Sequence, residues 1–249
     1  IYIGSGNAVV KVAARSDGIQ TATPLTINVS ALIRVASNSR LNKSYLTIQE
    51  ALNDTSLADS DTILVSPLYS EALPSQHIYT LTWPNKNRIS LVGSSAVTLN
   101  VHLDLNYNVI ATINNLIFVS ANNCALQINA NTATVNIEKC NFINNSGSNG
   151  GAIFANGISK LKIAQSIFRG NSASSEFSGG AGLYAYDVDN VEINTSKFLN
   201  NTAQAYGGGL YIYGSNNSNL ILKRSIFAFL QVFLFLQLSG HNDFSGRYL

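Results

Sequence analysis

Five phenylalanines recur at nearly regular intervals through the second half of this 249-residue chain. Successive members are 24, 26, 30 and 29 residues apart, and they are Phe118, Phe142, Phe168, Phe198 and Phe227. The positions five and seven residues before each phenylalanine are all apolar, and the position between them is polar in four of the five copies. This alternation predicts a strand with one buried face. Because a single unit of this size cannot bury its own apolar face, the units must stack on one another.

The three central copies continue with the same small residues. Asparagine lies three residues after the phenylalanine, at Asn145, Asn171 and Asn201. Glycine pairs then precede a second alternating strand, and they are Gly150-Gly151, Gly179-Gly180 and Gly207-Gly208. We expect the asparagines to occupy inward corners, in left-handed backbone, with their amides stacked from coil to coil. We expect the glycines to supply a positive φ or close packing at another corner.

Two strand segments per repeat, with no helical segment between them, favour one architecture over residues 111–227. The prediction is an all-β fold, a right-handed parallel β-helix solenoid whose phenylalanines form an internal column. Neighbouring coils should lie about 4.8 Å apart, the ordinary spacing of paired strands. A phosphate-binding loop is disfavoured because Gly150-Gly151 enters a strand and no lysine follows it.

The segments that flank the repeat are less regular. Residues 45–110 predict an N-terminal cap and the first coils, since Thr47 and Glu50 match a capping box. The short helix that they begin should cover the open edge of the first coil, and its apolar face comprises Ile48, Ala51, Leu52 and Thr55. A strand is expected at 62–66. Residues 1–44 have no clear assignment, and residues 228–249 are either a C-terminal cap or an aberrant tail. Because the chain contains no methionine, we expect it to be a fragment or a processed form.

Composition limits the kinds of partner and site. Only 11% of residues are charged and the net charge is +2, so we expect no nucleic-acid partner. The longest apolar run, 226–238, is shorter than the roughly 20 residues of a membrane span, so no transmembrane span is expected. No cofactor or metal is expected, because His77, His102 and His241 are not clustered in the sequence. Cys124 and Cys140 fit either one disulfide or two buried thiols. Sequons permit N-glycosylation at Asn28, Asn42, Asn53, Asn144, Asn194, Asn200 and Asn216.

Catalytic candidates are few. Glycoside hydrolysis needs paired carboxylates, and a calcium-assisted lyase needs several on neighbouring coils with a base beside them. The repeat offers only Asp187 and Asp189 as a close pair, and the aligned positions in neighbouring copies carry no carboxylate. Asp59 and Asp61 are expected to be turn residues near the cap. These patterns predict a protein that is not an enzyme.

Four tyrosines are the candidate ligand-stacking residues. They follow the second and third glycine pairs and are Tyr184, Tyr186, Tyr211 and Tyr213. If they are exposed on a shared face, they form an aromatic ladder for a sugar or a protein partner. Ordinary cross-strand stacking of the rings is the alternative.

The paired motifs GGAI (150–153) and FxxN (142–145, 168–171, 198–201) resemble the repeats of the polymorphic outer membrane protein family. The other glycine copies depart from this pattern and contain GGAG and GGGL. Residues 45–73 look like the entry segment of pectin-lyase-like β-helix proteins, with Ser60-Asp61 where that segment commonly has Gly-Asp. The resemblance implies a secreted or cell-surface β-helix, often linked to adhesion.

Two functions therefore remain as expectations. The first is a non-enzymatic extracellular or cell-surface β-helix for adhesion, presentation or scaffolding, with a host-cell or matrix protein or a glycan as partner. The second is a carbohydrate-active lyase or hydrolase that is degenerate or incomplete in this chain, with Asp187 and Asp189 as its acidic residues.

Overall fold

The computed structural model describes residues 8–12, 25–29, 36–66, 79–177, 179–214, 218–228, 234–237 and 242–248. The regular secondary structure of the described chain is almost entirely short strands, mostly parallel, which stack as a β-solenoid of about six turns. The all-β solenoid predicted from the repeat is therefore confirmed. His77, His241 and the sequon at Asn216 lie outside the described residues.

The helix α1 spans Ile48–Asn53, and the strands follow one another in short segments along the chain. In order, the strands are β1 Ala8–Val12, β2 Leu25–Val29, β3 Ala36–Asn38, β4 Lys43–Tyr45, β5 Thr62–Val65, β6 Tyr79–Thr82, β7 Ile89–Leu99, β8 Val101–Leu105, β9 Ile110–Val119, β10 Leu126–Asn129, β11 Thr134–Glu138, β12 Asn141–Ile143, β13 Ser146–Gly147, β14 Ile153–Asn156, β15 Lys160–Ala164, β16 Ile167–Arg169, β17 Ser172–Ala173, β18 Leu183–Tyr186, β19 Asn190–Asn194, β20 Lys197–Leu199, β21 Thr202–Ala203, β22 Leu210–Tyr213, β23 Asn219–Ala228, β24 Leu234–Gln237 and β25 Asn242–Tyr248.

Three sheets line the solenoid. The first sheet contains the strands that carry the phenylalanines, β9, β12, β16, β20 and β23, together with the strands that precede them in each coil. The second sheet has the order β24-β22-β18-β14-β10-β8-β6, and the third is the short set β13-β17-β21. Strands β1 and β2 pair with each other, antiparallel.

The phenylalanines form the internal column that the spacing predicts. All five are buried, and the parallel registers place each one opposite the next. Successive ring centroids are 5.0, 4.9, 4.3 and 4.8 Å apart, with interplanar angles of 9° or less. Because 24 to 30 residues separate the rings in sequence, the loops between strands absorb the difference in length while the rings keep their spacing.

The asparagines three residues after the phenylalanines form a buried amide ladder. Each of Asn145, Asn171 and Asn201 donates its Nδ2 to the backbone carbonyl of a phenylalanine in the preceding coil, at 3.0–3.1 Å. Left-handed backbone was expected at these asparagines, and this expectation is wrong. The residue before each one has the positive φ, namely Asn144 (54°), Gly170 (66°) and Asn200 (53°). The chain turns one residue earlier, and the asparagine that follows directs its side chain inward.

A second corner lies three residues before each phenylalanine. Five non-glycine residues adopt φ between 50° and 57° there, and they are Asn115, Lys139, Gln165, Thr195 and Arg224. The next position carries the buried hydroxyls of Ser166, Ser196 and Ser225. Each hydroxyl oxygen accepts a backbone N–H of the preceding coil, at 3.1–3.2 Å. This serine ladder satisfies backbone groups that would otherwise be buried without partners.

The glycines act mainly through close packing. Strand registers and the parallel bridge from Gly150 to Gly180 place Gly150, Gly180 and Gly207 at one position of the coil. The glycine pairs in the sequence align Gly179 with Gly150 and Gly207. In the structure Gly180 takes that position, and Gly179 lies one residue before it. A Cβ on Gly180 would be 2.1 Å from the Leu183 carbonyl oxygen, so no other residue fits without a shift of backbone. Gly207 combines a similar clash with a φ of 65°.

The predicted short helix is present near the N-terminal edge of the solenoid. Thr47 and Glu50 form the capping box, and Ile48, Ala51 and Leu52 are buried. Thr55 was expected on the same helical face, but it is exposed because the helix ends at Asn53. Strands β3 and β4 form an antiparallel hairpin, and β3 pairs with β5, so the hairpin covers the edge of the first coil.

The tail continues the strand pairing of the solenoid. Strand β24 pairs in parallel with β22, and β25 pairs in parallel with β23. This register places Tyr248 opposite Phe227, with a bulge between Lys223 and Ser225. The repeat is not visible there in the sequence because tyrosine replaces phenylalanine and because Tyr248 follows Phe227 by only 21 residues, fewer than the 24 to 30 of the other copies.

Candidate functional site

Aromatic side chains cover the outer face of the second sheet. Leu183 and Ala185 point into the core, so the alternating residues of β18, Tyr184 and Tyr186, point outward. Parallel pairing aligns Phe154, Tyr184 and Tyr211 in one column and Tyr186 with Tyr213 in the next. We refer to these five side chains as the aromatic ladder.

The rings of the aromatic ladder stack face to face. The centroid of Tyr184 is 5.3 Å from Phe154 and 4.8 Å from Tyr211. The centroids of Tyr186 and Tyr213 are 5.0 Å apart, and the interplanar angles of all three pairs are 4° to 6°. The two columns touch, since Tyr184 and Tyr186 are 6.4 Å apart. The structure thus brings the four predicted tyrosines together and adds Phe154.

Exposure divides the tyrosines into two kinds. The side chain of Tyr186 is 41% exposed and Tyr213 is half-buried. Tyr184 and Tyr211 were expected to be exposed, but only 7% and 8% of their surface is accessible. Tyr184 is covered because it is enclosed by Phe154, Tyr186 and Tyr211. Burial also raises the pKa of the Tyr211 hydroxyl, and the neighbouring tyrosines add to this effect.

Stacking decides which part of the ladder a ligand can reach. A ring face that meets another ring is not available to a ligand, and both faces of Tyr184 are occupied in this way. What remains outward is the edges and hydroxyl groups of Tyr186 and Tyr213, together with the face of Tyr186 toward Asn156, its register partner in the preceding coil. A ring face without an aromatic neighbour is left only where a column ends.

One column ends at Phe154. In the preceding coil its register partner is Gln127, which is not aromatic. A cleft lies between these residues, with an empty volume of about 360 Å³ counted to its open mouth. Its lining comprises Asn123, Cys124, Gln127, Gly147, Ser148, Asn149, Gly150 and Phe154. We call this the Phe154 cleft. Sequence reasoning missed it, because the lining residues come from three separate segments and only the register joins them.

The two acidic candidates lie directly beside the exposed tyrosine. Asp187 follows Tyr186 with a φ of 53°, and Asp189 follows two residues later. Both side chains are exposed and make no ion pair or hydrogen bond with the described residues. The corner equivalent to Asp187 in the preceding coil is Gly157, which also has a positive φ. Within the described part of the chain, no three histidine, cysteine or acidic side chains come together as a metal site would require.

The structure brings together a histidine and a cysteine that are 22 residues apart. His102 is buried, and its Nδ1 lies 3.0 Å from the backbone oxygen of Cys124 and 3.8 Å from its Sγ. A carbonyl oxygen only accepts, so Nδ1 carries the hydrogen and cannot take a proton from the thiol. Burial also raises the pKa of the Cys124 thiol to about 12. His102 and Cys124 are therefore packed side chains of the interior, and Cys124 lacks the features of an activated nucleophile.

Both cysteines are free thiols. Cys140 is buried at the start of the serine ladder, where its Sγ is 3.3 Å from the Glu138 carbonyl oxygen. Burial raises its pKa to about 12 as well. Of the two alternatives left by the sequence, the structure has two buried thiols.

A second, larger groove lies on the outer face of the first sheet. Its lining combines the apolar residues Ile137 and Ala164 with polar ones that include Thr112, Asn136, Lys162 and Asn194. Glu138 is the carboxylate in this lining. Glu192 lies nearby and is 3.7 Å from the Lys162 ammonium group. A single carboxylate at the groove does not provide the carboxylate pair of a glycosidase.

Comparison with protein-family models, with curated proteins and with solved structures gave no match. None of the helices in the described residues has the length and apolar character needed to cross a membrane.

Proposed function

We propose that this chain is a non-enzymatic β-helix that presents a binding surface outside the cell or at the cell surface. The observation that carries the proposal is the aromatic ladder, whose outer column, the exposed Tyr186 and the half-buried Tyr213, points away from the solenoid. Tyrosine combines a large apolar ring with a hydroxyl group, and it is enriched at the energetic centres of interfaces. The partner would be a host-cell or matrix protein or a glycan.

The scaffold beneath the ladder supports this proposal. The rows of phenylalanine, asparagine and serine hold each coil at a constant spacing, so the outward rings are already ordered before a partner arrives. Ordering side chains on binding costs about 0.5–1.5 kcal/mol for each one, and a preformed ladder avoids most of that cost. The resemblance of the GGAI and FxxN motifs to polymorphic outer membrane repeats and to pectin-lyase-like proteins favours the same extracellular role.

A matched pair of tyrosine variants tests the proposal. The double variant Tyr186→Ser and Tyr213→Ser removes the outer column, and Tyr107→Ser is the control. Tyr107 is also 41% exposed but lies in the turn between β8 and β9. Labelled proteins are applied to host cells, to matrix-coated wells and to a glycan array. We expect the double variant to bind at least about tenfold more weakly and the control to bind like the parent protein. Equal binding by both variants would reject the ladder as the contact surface.

The carbohydrate-active alternative has one observation in its favour, the exposed Asp187 and Asp189 beside Tyr186. It is tested by incubating the protein with pectin and with alginate in the presence of calcium. Unsaturated uronides or new reducing ends that disappear in Asp187→Ala would overturn the non-enzymatic proposal. We expect neither product above the level given by heat-denatured protein.

A further inference from the structure

We propose that the Phe154 cleft binds a single neutral sugar ring, with the ring of Phe154 as the stacking platform. This inference rests on the proposed binding function and deepens it, because it names a ligand class and a second contact point. It follows from where the aromatic ladder ends. One face of Phe154 meets Tyr184 at 5.3 Å, and the opposite face looks toward the coil of Gln127, which supplies no ring.

The polar groups of the cleft suit hydroxyl groups. The side chains of Asn123, Gln127 and Ser148 make no hydrogen bonds with the described residues. Amide and hydroxyl side chains both donate and accept, as sugar hydroxyls do. A flat aromatic face beside a few such groups provides a surface for the apolar C–H face of a pyranose and partners for its rim.

The charges around the cleft favour a neutral ligand. None of the lining side chains is ionic. The carboxylate of Asp104 lies in register with Gln127 in the preceding coil, close enough to Cys124 to contribute to its raised pKa. The Asp104 Oδ1 atom is buried and has no hydrogen-bond partner. A negative charge behind a cleft that has no cationic side chain in its lining disfavours an anionic sugar. The cleft should therefore discriminate against uronates.

The size of the cleft limits the ligand to a small unit. The space enclosed by the cleft itself is about 130 Å³, which is below the usual size of small-molecule sites. Gly147 and Gly150 line it, and a Cβ on Gly147 would lie 2.2 Å from the Gly150 carbonyl oxygen. The small volume of the cleft admits one ring at most, such as a terminal or branching residue of a glycan.

Saturation-transfer NMR and titration with simple sugars test this inference. The probes are the methyl β-pyranosides of glucose, galactose and N-acetylglucosamine, with galacturonate as the anionic probe. We expect at least one neutral sugar to bind with a Kd on the order of 1 mM and galacturonate to bind at least about tenfold more weakly. Phe154→Leu keeps an apolar side chain but removes the flat face, so it should weaken binding by about tenfold. Tyr107→Leu, in the turn between β8 and β9 and outside the cleft and the aromatic ladder, should leave binding unchanged.

Asn123→Ala is the second test variant, because Asn123 is exposed and its loss does not disturb the aromatic column. It should weaken neutral-sugar binding at least threefold with an unchanged far-UV circular dichroism spectrum. Lack of binding by every neutral probe, or binding that neither Phe154→Leu nor Asn123→Ala weakens, would overturn the inference. Loss of adhesion in the Tyr186 and Tyr213 double variant tests the proposed function separately. If Phe154→Leu retains adhesion but no longer binds the sugar, adhesion does not depend on the cleft. If no parent-protein sugar binding is found but the double variant loses adhesion, the proposed function stands and the cleft inference fails.

Discussion

The side-chain Nδ2 of Asn171 donates to Oδ1 of Asn201 at 2.9 Å, and the Oδ1 of Asn171 in turn accepts from Nδ2 of Asn145 at 3.0 Å. The same oxygen also accepts the backbone N–H of Asn145 at 3.0 Å. All three asparagines are fully buried. An interior amide can only be tolerated when its donors and acceptors are satisfied, and here the neighbouring coils supply the partners.

Replacing Asn171 with alanine should destabilise the protein by about 3 kcal/mol. The change leaves the backbone N–H of Asn145 and the carbonyl of Phe142 buried without their partners, and each such loss costs about 1–3 kcal/mol. Urea unfolding followed by circular dichroism measures the effect. Asn122→Ala is the control, since Asn122 is exposed and should change stability by less than about 0.5 kcal/mol. A loss below about 1 kcal/mol for Asn171→Ala would contradict the amide ladder.

Replacing Phe168 with alanine should cost about 3–5 kcal/mol, because a buried ring leaves a cavity that the neighbours fill only in part. Phe168 also stacks on Phe198 with centroids 4.3 Å apart, the shortest spacing in the column. A double-mutant cycle with Phe198→Leu and Phe168→Leu should give a coupling of about 0.5–1.5 kcal/mol. If the losses in unfolding free energy of the two leucine variants simply add, the stacked rings stabilise the protein only through the apolar area that they bury.

The two kinds of glycine should respond differently to alanine. Gly180→Ala places a Cβ against the Leu183 carbonyl, so we expect a loss of about 3 kcal/mol or an insoluble product. Gly157 has a φ of 69°, but the nearest atom to an added Cβ is 3.8 Å away. Gly157→Ala should therefore cost only the backbone strain, about 1 kcal/mol. Chemical denaturation of both variants side by side checks this order, and the reverse order would disprove close packing as the reason for Gly180.

Stability should fall in acid through a carboxylate at the N-terminal cap. Asp61 is buried, its Oδ2 accepts from Arg40 Nη2 at 2.6 Å, and the backbone N–H of Ala58 donates to it at 2.8 Å. The Arg40 guanidinium lowers the pKa of Asp61 from 3.8 to about 2, against the opposing effect of burial. The stabilisation is therefore complete above about pH 4 and is lost as the pH falls toward 2.

Urea midpoints measured from pH 7 to pH 2 check this dependence. Asp61→Asn should lower the midpoint at pH 7 and flatten the decline between pH 4 and pH 2. A slope will remain, because Lys43, the backbone of Ser56 and Tyr45 hold the pKa of Asp54 well below its usual range. The double variant Asp61→Asn and Asp54→Asn should remove most of the remaining fall in the urea midpoint between pH 4 and pH 2. An Asp61→Asn curve parallel to that of the parent protein would refute this role of Asp61.

Several elements of the fold were readable in the sequence because their signals are local or strictly periodic. The Phe168 column, the alternation before it and the capping box at Thr47 all depend on residue type at a fixed offset. The serine ladder was not readable, because Ser166, Ser196 and Ser225 resemble surface serines until the corner before them is known. The same holds for the left-handed residues at both corners, since five of them at one corner are ordinary polar or charged residues.

The candidate site shows the same division. Sequence alone determined that the chain repeats, that each repeat alternates and that tyrosines recur after the glycines. Only the tertiary structure decided that Tyr184 is covered and Tyr186 exposed, that the ring of Phe154 ends its column at a cleft, and that His102 lies beside Cys124. The physical reason is that exposure and contact depend on the register between coils. That register is set by packing and hydrogen bonds between residues 24 to 30 positions apart, whereas alternation is set by neighbours in the chain.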